Sequence, residues 1–212
     1  MNKFKNLALS TDSMKHLEKL ISPTIEYQHI KFKDFVFSVG DFLLINDVSE
    51  DFSIGKLVKI IPRNGLSDIS YWPCIKVQWF YRKKDIDLKI NSLDKKKYDS
   101  ISDYEVFFSE HYDNIFLESV IRKAFVLSFS DYENLDEIKG DVFFCRYGYN
   151  PKTKLLIPKY EKWEKSCECK FPLNPDQLYI RCEKCEGWYH PECVGFSISD
   201  NNSDVSFICK LC

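Results

Sequence analysis

Residues 181–193 read Arg181-Cys182-Glu183-Lys184-Cys185-Glu186-Gly187-Trp188-Tyr189-His190-Pro191-Glu192-Cys193. The spacing of thiols and imidazole in that stretch decides how the end of the chain folds. Cys182-x-x-Cys185 and His190-x-x-Cys193 are preceded by Cys167-x-Cys169 and followed by Cys209-x-x-Cys212. Each pair can grip one side of a tetrahedral zinc ion, and two pairs close a four-coordinate site. So small a segment cannot fold on apolar burial alone, whereas structural zinc supplies roughly 10–16 kcal/mol. Eight ligands imply two Zn2+ ions. With every coordination position filled by protein, no place is left for a catalytic water, so both ions are expected to be structural.

Working outward, seven of the nine cysteines lie in this final quarter, and only Cys74 and Cys145 lie outside it, in or beside strand-like runs where free thiols are usually buried. The 212 residues allow one ordinary domain plus a small one, and a 44% hydrophobic composition allows a real core. Apolar runs such as Phe42-Leu43-Leu44-Ile45 are far too short to span a bilayer, so no membrane partner is expected. The first residues show neither a sustained apolar core nor a small-residue cleavage pattern. The expectation is an intracellular protein whose thiols stay reduced, where clustered cysteines are metal ligands rather than disulfides. From Cys167 onward there are four basic and seven acidic residues, net −3, which leaves the preceding 166 residues at +1. An acidic finger suits a basic peptide better than phosphates.

Residues 1–24 read as an N-terminal extension with one short helix, capped by Ser10-Thr11-Asp12, carrying Met14, Leu17 and Ile21 on one face and stopped by Pro23. Residues 25–158 turn to short strands rich in β-branched and aromatic residues, at 57–61, 75–81, 104–108, 124–129 and 142–147. That spacing predicts a small closed or nearly closed β-barrel, so the fold class is mainly β. The polar stretch 83–103 reads as a mobile surface excursion. Residues 159–165 form a linker, and 166–212 form the zinc finger. The run Ser109-x-His111-x-Asp113 has the residue types of a hydrolase triad, but triads assemble from separate elements around a specialised turn. The lysines at 83, 84 and 95–97 read as solvated charge, so no sequence-specific nucleic acid is expected.

The ligand order, with one histidine in fifth place, resembles PHD fingers rather than RING fingers, and Phe207 two residues before Cys209 fits the aromatic that PHD fingers pack between their sites. That resemblance implies a cross-brace: Cys167, Cys169, His190 and Cys193 on one zinc, Cys182, Cys185, Cys209 and Cys212 on the other. In PHD fingers that read trimethyl-lysine 4 of histone H3, one wall is a tryptophan two residues before the histidine, here Trp188. A second lies three residues before the third cysteine, here Tyr179. Two further aromatic positions of that family are Ser166 and Leu173 in this chain. The implied cage is therefore Tyr179 and Trp188, assisted by Leu173 or by Trp163 folding back from the linker. Glu183 and Asp176 are candidates for pairing with an arginine of the peptide.

The barrel also has a likeness. Gly40-Asp41-Phe42-Leu43-Leu44, Gly55-Lys56-Leu57-Val58-Lys59-Ile60, Gln78-Trp79-Phe80-Tyr81-Arg82 and Val106-Phe107-Phe108 resemble a bromo-adjacent homology (BAH) domain, and Phe143-Phe144-Cys145-Arg146-Tyr147 and Tyr149-Asn150-Pro151 close the pattern. A BAH domain followed by a PHD finger is the arrangement of the plant BAH–PHD chromatin readers. In that family the BAH domain cages trimethyl-lysine 27 of histone H3. The resemblance carries its cage positions to Trp79 and Tyr81; the third, a tyrosine in the family, is Ser53 here, with Phe52 beside it. It also places 109–113 in a loop near the peptide, where His111 and Asp113 hydrogen-bond its backbone.

Together these readings imply a nuclear histone reader without catalysis. The finger is expected to take trimethyl-lysine 4 of the H3 tail, and the barrel a second methyl-lysine such as lysine 27. The alternative is a non-catalytic scaffold whose two modules hold non-histone chromatin proteins. A ubiquitin ligase is disfavoured by the position of the histidine.

Overall fold

The computed structural model describes residues 26–46, 51–61, 73–138, 140–165, 167–197, 206–210 and 212. The helix expected within 1–24 lies outside them. A hairpin of β1 (His29–Phe32) and β2 (Phe35–Ser38) leads into β3 (Phe42–Asn46), β4 (Phe52–Ile61) and β5 (Cys74–Arg82). After α1 (Lys95–Asp99) come β6 (Val106–Phe116) and β7 (Val120–Ser128), then α2 (Phe129–Glu133) and β8 (Val142–Cys145). A second hairpin, β9 (Gly148–Asn150) and β10 (Leu155–Ile157), ends the barrel. The finger contributes β11 (Ile180–Arg181), β12 (Trp188–Tyr189) and α3 (Pro191–Val194).

Eight strands form one sheet in the order β10-β9-β6-β5-β4-β3-β7-β8. The sheet curls until β8 meets the approach to β6: Glu105 bridges Phe144, whose N–H donates to the Tyr104 carbonyl at 3.1 Å. This is the nearly closed barrel expected from the strand spacing. The run Phe42-Leu43-Leu44-Ile45 is apolar throughout because β3 is covered on both faces. Leu43 and Ile45 pack with Leu57, Ile75 and Val77 in one core, while Leu44 packs with Ile54, Val106 and Phe143 in another. Gly55 lets β3, β4 and β5 approach closely at this point. A Cβ there would lie 2.8 Å from Ile45 Cδ1 and 3.2 Å from Val77 Cβ.

Three expectations change. The 83–103 stretch is packed rather than a mobile excursion: Ile86, Leu93 and Ile101 are buried with Phe107, Tyr149 and Leu156. Asn91 fastens it, with its amide nitrogen donating to the Asp87 and Lys154 carbonyls and its oxygen accepting from Leu156 N–H. The strand expected at 104–108 runs on to Phe116, so Ser109, His111 and Asp113 lie in β6 and not in a loop. Finally, Trp163 does not fold back onto the finger. It is buried against Tyr147 at 4.3 Å and Phe107 at 5.9 Å, its indole N–H donating to the Pro158 carbonyl. A linker with a large aromatic ring is more stable seated in an available core than extended through water.

Candidate functional site

The finger brings its thiols and imidazole into two groups. Cys167, Cys169, His190 and Cys193 form one, and Cys182, Cys185, Cys209 and Cys212 form the other, with the ligand atoms of each group within 4.8 Å of one another. In the second group the Sγ–Sγ separations of Cys182–Cys212, Cys185–Cys209 and Cys209–Cys212 are 3.9, 3.7 and 3.5 Å. A tetrahedron with metal–sulfur bonds of about 2.3 Å has edges of about 3.8 Å, so the donor set fits zinc. His190 Nδ1 lies 3.5 Å from Cys169 Sγ and 3.9 Å from Cys193 Sγ. Its Nε2–H donates to Gln177 Oε1 at 2.7 Å, which frees the Nδ1 lone pair for a metal and fixes the ring.

Local backbone geometry explains why the spacing works. Lys170 and Glu186, each following the second cysteine of a pair, take positive φ values of 59° and 60°. Their N–H groups return to the carbonyls of Cys167 and Cys182, turning both thiols of each pair to one side. His190 caps α3, with Pro191 at its first turn and Gly195 at φ 67° ending it, so His190 and Cys193 share a face. The Cys209 N–H donates to Cys182 Sγ, and this bond, with others from nearby backbone, draws the Cys182 thiol down to about 6. Phe207 is buried in one small core with Cys167, Cys182 and Cys209, edge-on to Tyr189 and Phe196.

Tyr179, Trp188 and Leu173 line one cavity of about 510 Å³. Tyr179 is fixed from two sides: its hydroxyl accepts from the Asn174 N–H at 2.9 Å, and its ring packs on His190 at 4.4 Å. Trp188 pairs with Arg181 across β11 and β12 and leaves its ring 44% exposed, open to a ligand. The far side of this cavity belongs to the barrel, where Tyr132, Glu133, Leu135 and Ile138 face the finger. Sequence reasoning missed all four, because nothing in a sequence pairs α2 with a tryptophan more than fifty residues away. Asp176 and Glu183 lie elsewhere. Asp176 Oδ2 accepts from the Asp103 N–H of the barrel at 3.0 Å, and Glu183 accepts from the Ser206 hydroxyl at 2.7 Å.

A second cavity, of about 340 Å³, opens at the end of β5. Ile75 and Val77 are sealed in the core, but Trp79 and Tyr81 on the same strand line the opening with Ser53, His111 and Asp113. Asp113 Oδ2 accepts from Trp79 Nε1 at 2.7 Å and lies 3.1 Å from His111 Nε2, while Tyr81 OH lies 2.8 Å from His111 Nδ1. A His111 protonated at Nε2 satisfies all three contacts and holds both aromatic rings in place. Asn46, Phe80 and Asp85 complete the lining. Phe52 does not join it, since its ring lies 4.2 Å beneath the Arg82 guanidinium and packs on Phe143. Ser109 is buried, with its hydroxyl donating to the Trp79 carbonyl and not to a histidine ring. A third cavity, of about 660 Å³, lies between α1 and the face of the finger that carries Cys169, His190 and Cys193.

A family model for the BAH domain matches residues 36–158, and one for the PHD-finger matches residues 167–212. The chain is 34% identical over 138 residues to chromatin remodeling protein SHL of Arabidopsis thaliana, covering 65% of this chain and 57% of that protein. It is 33% identical over 108 residues to chromatin remodeling protein EBS of the same plant, covering 51% and 45%. The chain thus spans about half the length of the curated relatives it matches. Over 62% of this chain and 53% of the other, it superposes on the yeast Rsc2 BAH domain with a TM-score of 0.46 and 16% identity.

Proposed function

The chain belongs to the BAH-domain family and ends in a PHD finger, and on that footing we propose that it is a nuclear, non-catalytic reader of the histone H3 tail. The finger takes trimethyl-lysine 4, and the barrel takes a second methyl-lysine such as lysine 27. The working units are a barrel over 25–158, a linker over 159–165 and a finger over 166–212. Cys167, Cys169, His190 and Cys193 hold one zinc ion, and Cys182, Cys185, Cys209 and Cys212 the other. Zinc supplies the folding energy that so small a module lacks.

One observation carries the reading: Trp188, Tyr179 and Leu173 line a single cavity on an acidic module. A trimethylammonium keeps its charge but has no N–H to donate. Aromatic faces attract it by about 0.5–2 kcal/mol each, depending on desolvation. The net charge of the finger favours the basic tail around it. The cavity holding Trp79, Tyr81 and Asp113 offers the same chemistry in the barrel. There Phe52 packs under Arg82 and against Phe143, so Ser53 stands at the third wall and Trp79 and Tyr81 are the rings that hold the ammonium.

Calorimetric titration of the whole protein with H3 peptides spanning lysine 4 or lysine 27, unmodified and trimethylated, tests both halves. A trimethyl preference at lysine 4 is expected to vanish in Trp188→Ala, and one at lysine 27 in Trp79→Ala. Equal binding of methylated and unmodified peptides would sink the proposal.

A further inference from the structure

Within the reader function, on which this inference rests, the finger supplies only part of its own pocket. Two positions that are aromatic in PHD readers are Ser166 and Leu173 here. The barrel stands where walls are needed. α2 and the turn after it bring Tyr132, Glu133, Leu135 and Ile138 to the cavity that holds Tyr179 and Trp188. Leu135 and Ile138 are 38% and 45% exposed, large apolar side chains left at the surface on the side that faces the finger.

This placement is fixed rather than incidental. Tyr132 is buried, its ring 4.8 Å from Phe144, which anchors α2 to the barrel. Its hydroxyl is sealed from solvent and has no hydrogen-bond partner among the described residues. A buried polar group without a partner in a native fold asks for a ligand or a water. Two hydrogen bonds hold the finger's first loop against the barrel: Arg146 Nη1 donates to the Leu173 carbonyl at 2.9 Å, and the Asp103 N–H donates to Asp176.

The chemistry of the added walls is not that of an all-aromatic cage. Aromatic faces hold trimethyl-lysine without offering an acceptor, whereas mono- and dimethyl-lysine keep N–H groups that gain from a carboxylate. We propose that the lysine pocket of the finger is a two-domain pocket, in which the barrel's Glu133 accepts a hydrogen bond from the ammonium. It therefore takes dimethyl-lysine at least as tightly as trimethyl-lysine. Leu135 and Ile138 cover the methyl groups on the side where the finger has no ring.

The test is the dissociation constant of the whole protein for H3 peptides carrying unmodified, dimethyl- or trimethyl-lysine 4. It is repeated with Glu133→Gln, with Leu135→Ala/Ile138→Ala and with Trp188→Ala, each checked for zinc content and for its thermal transition. The wild type is expected to bind the dimethyl peptide no more weakly than the trimethyl. Glu133→Gln is expected to weaken dimethyl binding about tenfold, more than it weakens trimethyl binding, as a lost charge-assisted hydrogen bond implies. The double alanine variant is expected to weaken both. If Trp188→Ala abolishes methyl-dependent binding while the barrel variants leave both constants within about twofold, the pocket belongs to the finger alone and the two-domain proposal is overturned. If the wild type shows no methyl preference, the reader function itself fails and takes this inference with it.

Discussion

Arg146 is the side chain through which the barrel reaches the first loop of the finger. Its guanidinium forms a two-armed pair with Glu105, at 2.9 and 2.8 Å, and gives a third hydrogen bond to the Leu173 carbonyl. It also lies 4.1 Å from the Phe129 ring. Burial pushes the Glu105 carboxyl upward and Arg146 pulls it back, so the pair is stable only as a pair. Arg146→Met leaves a buried carboxyl with no counter-charge, which costs about 3–5 kcal/mol. Burial already holds the folded-state pKa of Glu105 above its unfolded value, and removing Arg146 raises it further. Such a group favours the fold in acid and loses that contribution as pH rises through the folded-state value. Thermal unfolding of Arg146→Met from about pH 5 to about pH 7 is expected to show falling stability relative to wild type; a constant difference would refute this account. The sequence did not mark Arg146 out, because Phe144-Cys145-Arg146-Tyr147 reads only as the end of a strand. Trp188 and Tyr179, which line one cavity, could be named from the sequence because their distances from His190 and Cys182 are fixed along the chain.

Elements were legible where one physical signal dominated. The β-branched and aromatic runs of β4 and β5 gave strands, β3 was legible only through its likeness to a BAH domain, and the ligand pairs gave the knuckles of the finger. β6 was read too short because its second half, Ser109-Glu110-His111-Tyr112-Asp113, is polar. Its backbone pairs with Lys76, Val77 and Gln78 of β5 all the same, and that pairing overrides the local composition. The same effect hid the packing of 83–103, where Ile86, Leu93 and Ile101 are spread among lysines and aspartates and show no short period. What a sequence cannot display there is Asn91, whose side chain stands in for a strand partner between the turn before α1 and β10. Asn91→Ala strands the Leu156 N–H in a buried place and takes the amide donor from the Lys154 carbonyl, while the Asp87 carbonyl keeps the residue-91 backbone N–H; the loss is about 2 kcal/mol. For a protein of this size that lowers the melting temperature by roughly 4–8 °C. Calorimetry on the variant checks it, and a shift below about 1 °C would mean that water replaces the amide.

At the scale of the whole molecule the two modules depend on different forces. The barrel has its own cores around Leu43, Ile75 and Val77 and around Leu44, Ile54 and Phe143, and the linker ring Trp163 belongs to its third. The finger buries Tyr189, Val194 and Phe207 among cysteines, too little apolar surface to offset the entropy of ordering its chain. A strong chelator is therefore expected to unfold the finger and leave the barrel standing. Zinc release should reach two ions per chain, and binding of a lysine 4 peptide should disappear while binding of a lysine 27 peptide persists. The barrel's transition should move down, since unfolding the finger also removes the Arg146–Leu173 and Asp103–Asp176 bonds. Loss of both peptides and of all structure in one step would instead mean that the contact along α2 and Arg146 is needed for the barrel to fold. Retention of lysine 4 binding after chelation would mean that His190, on which the Tyr179 ring packs, does not need a metal to hold that ring in place.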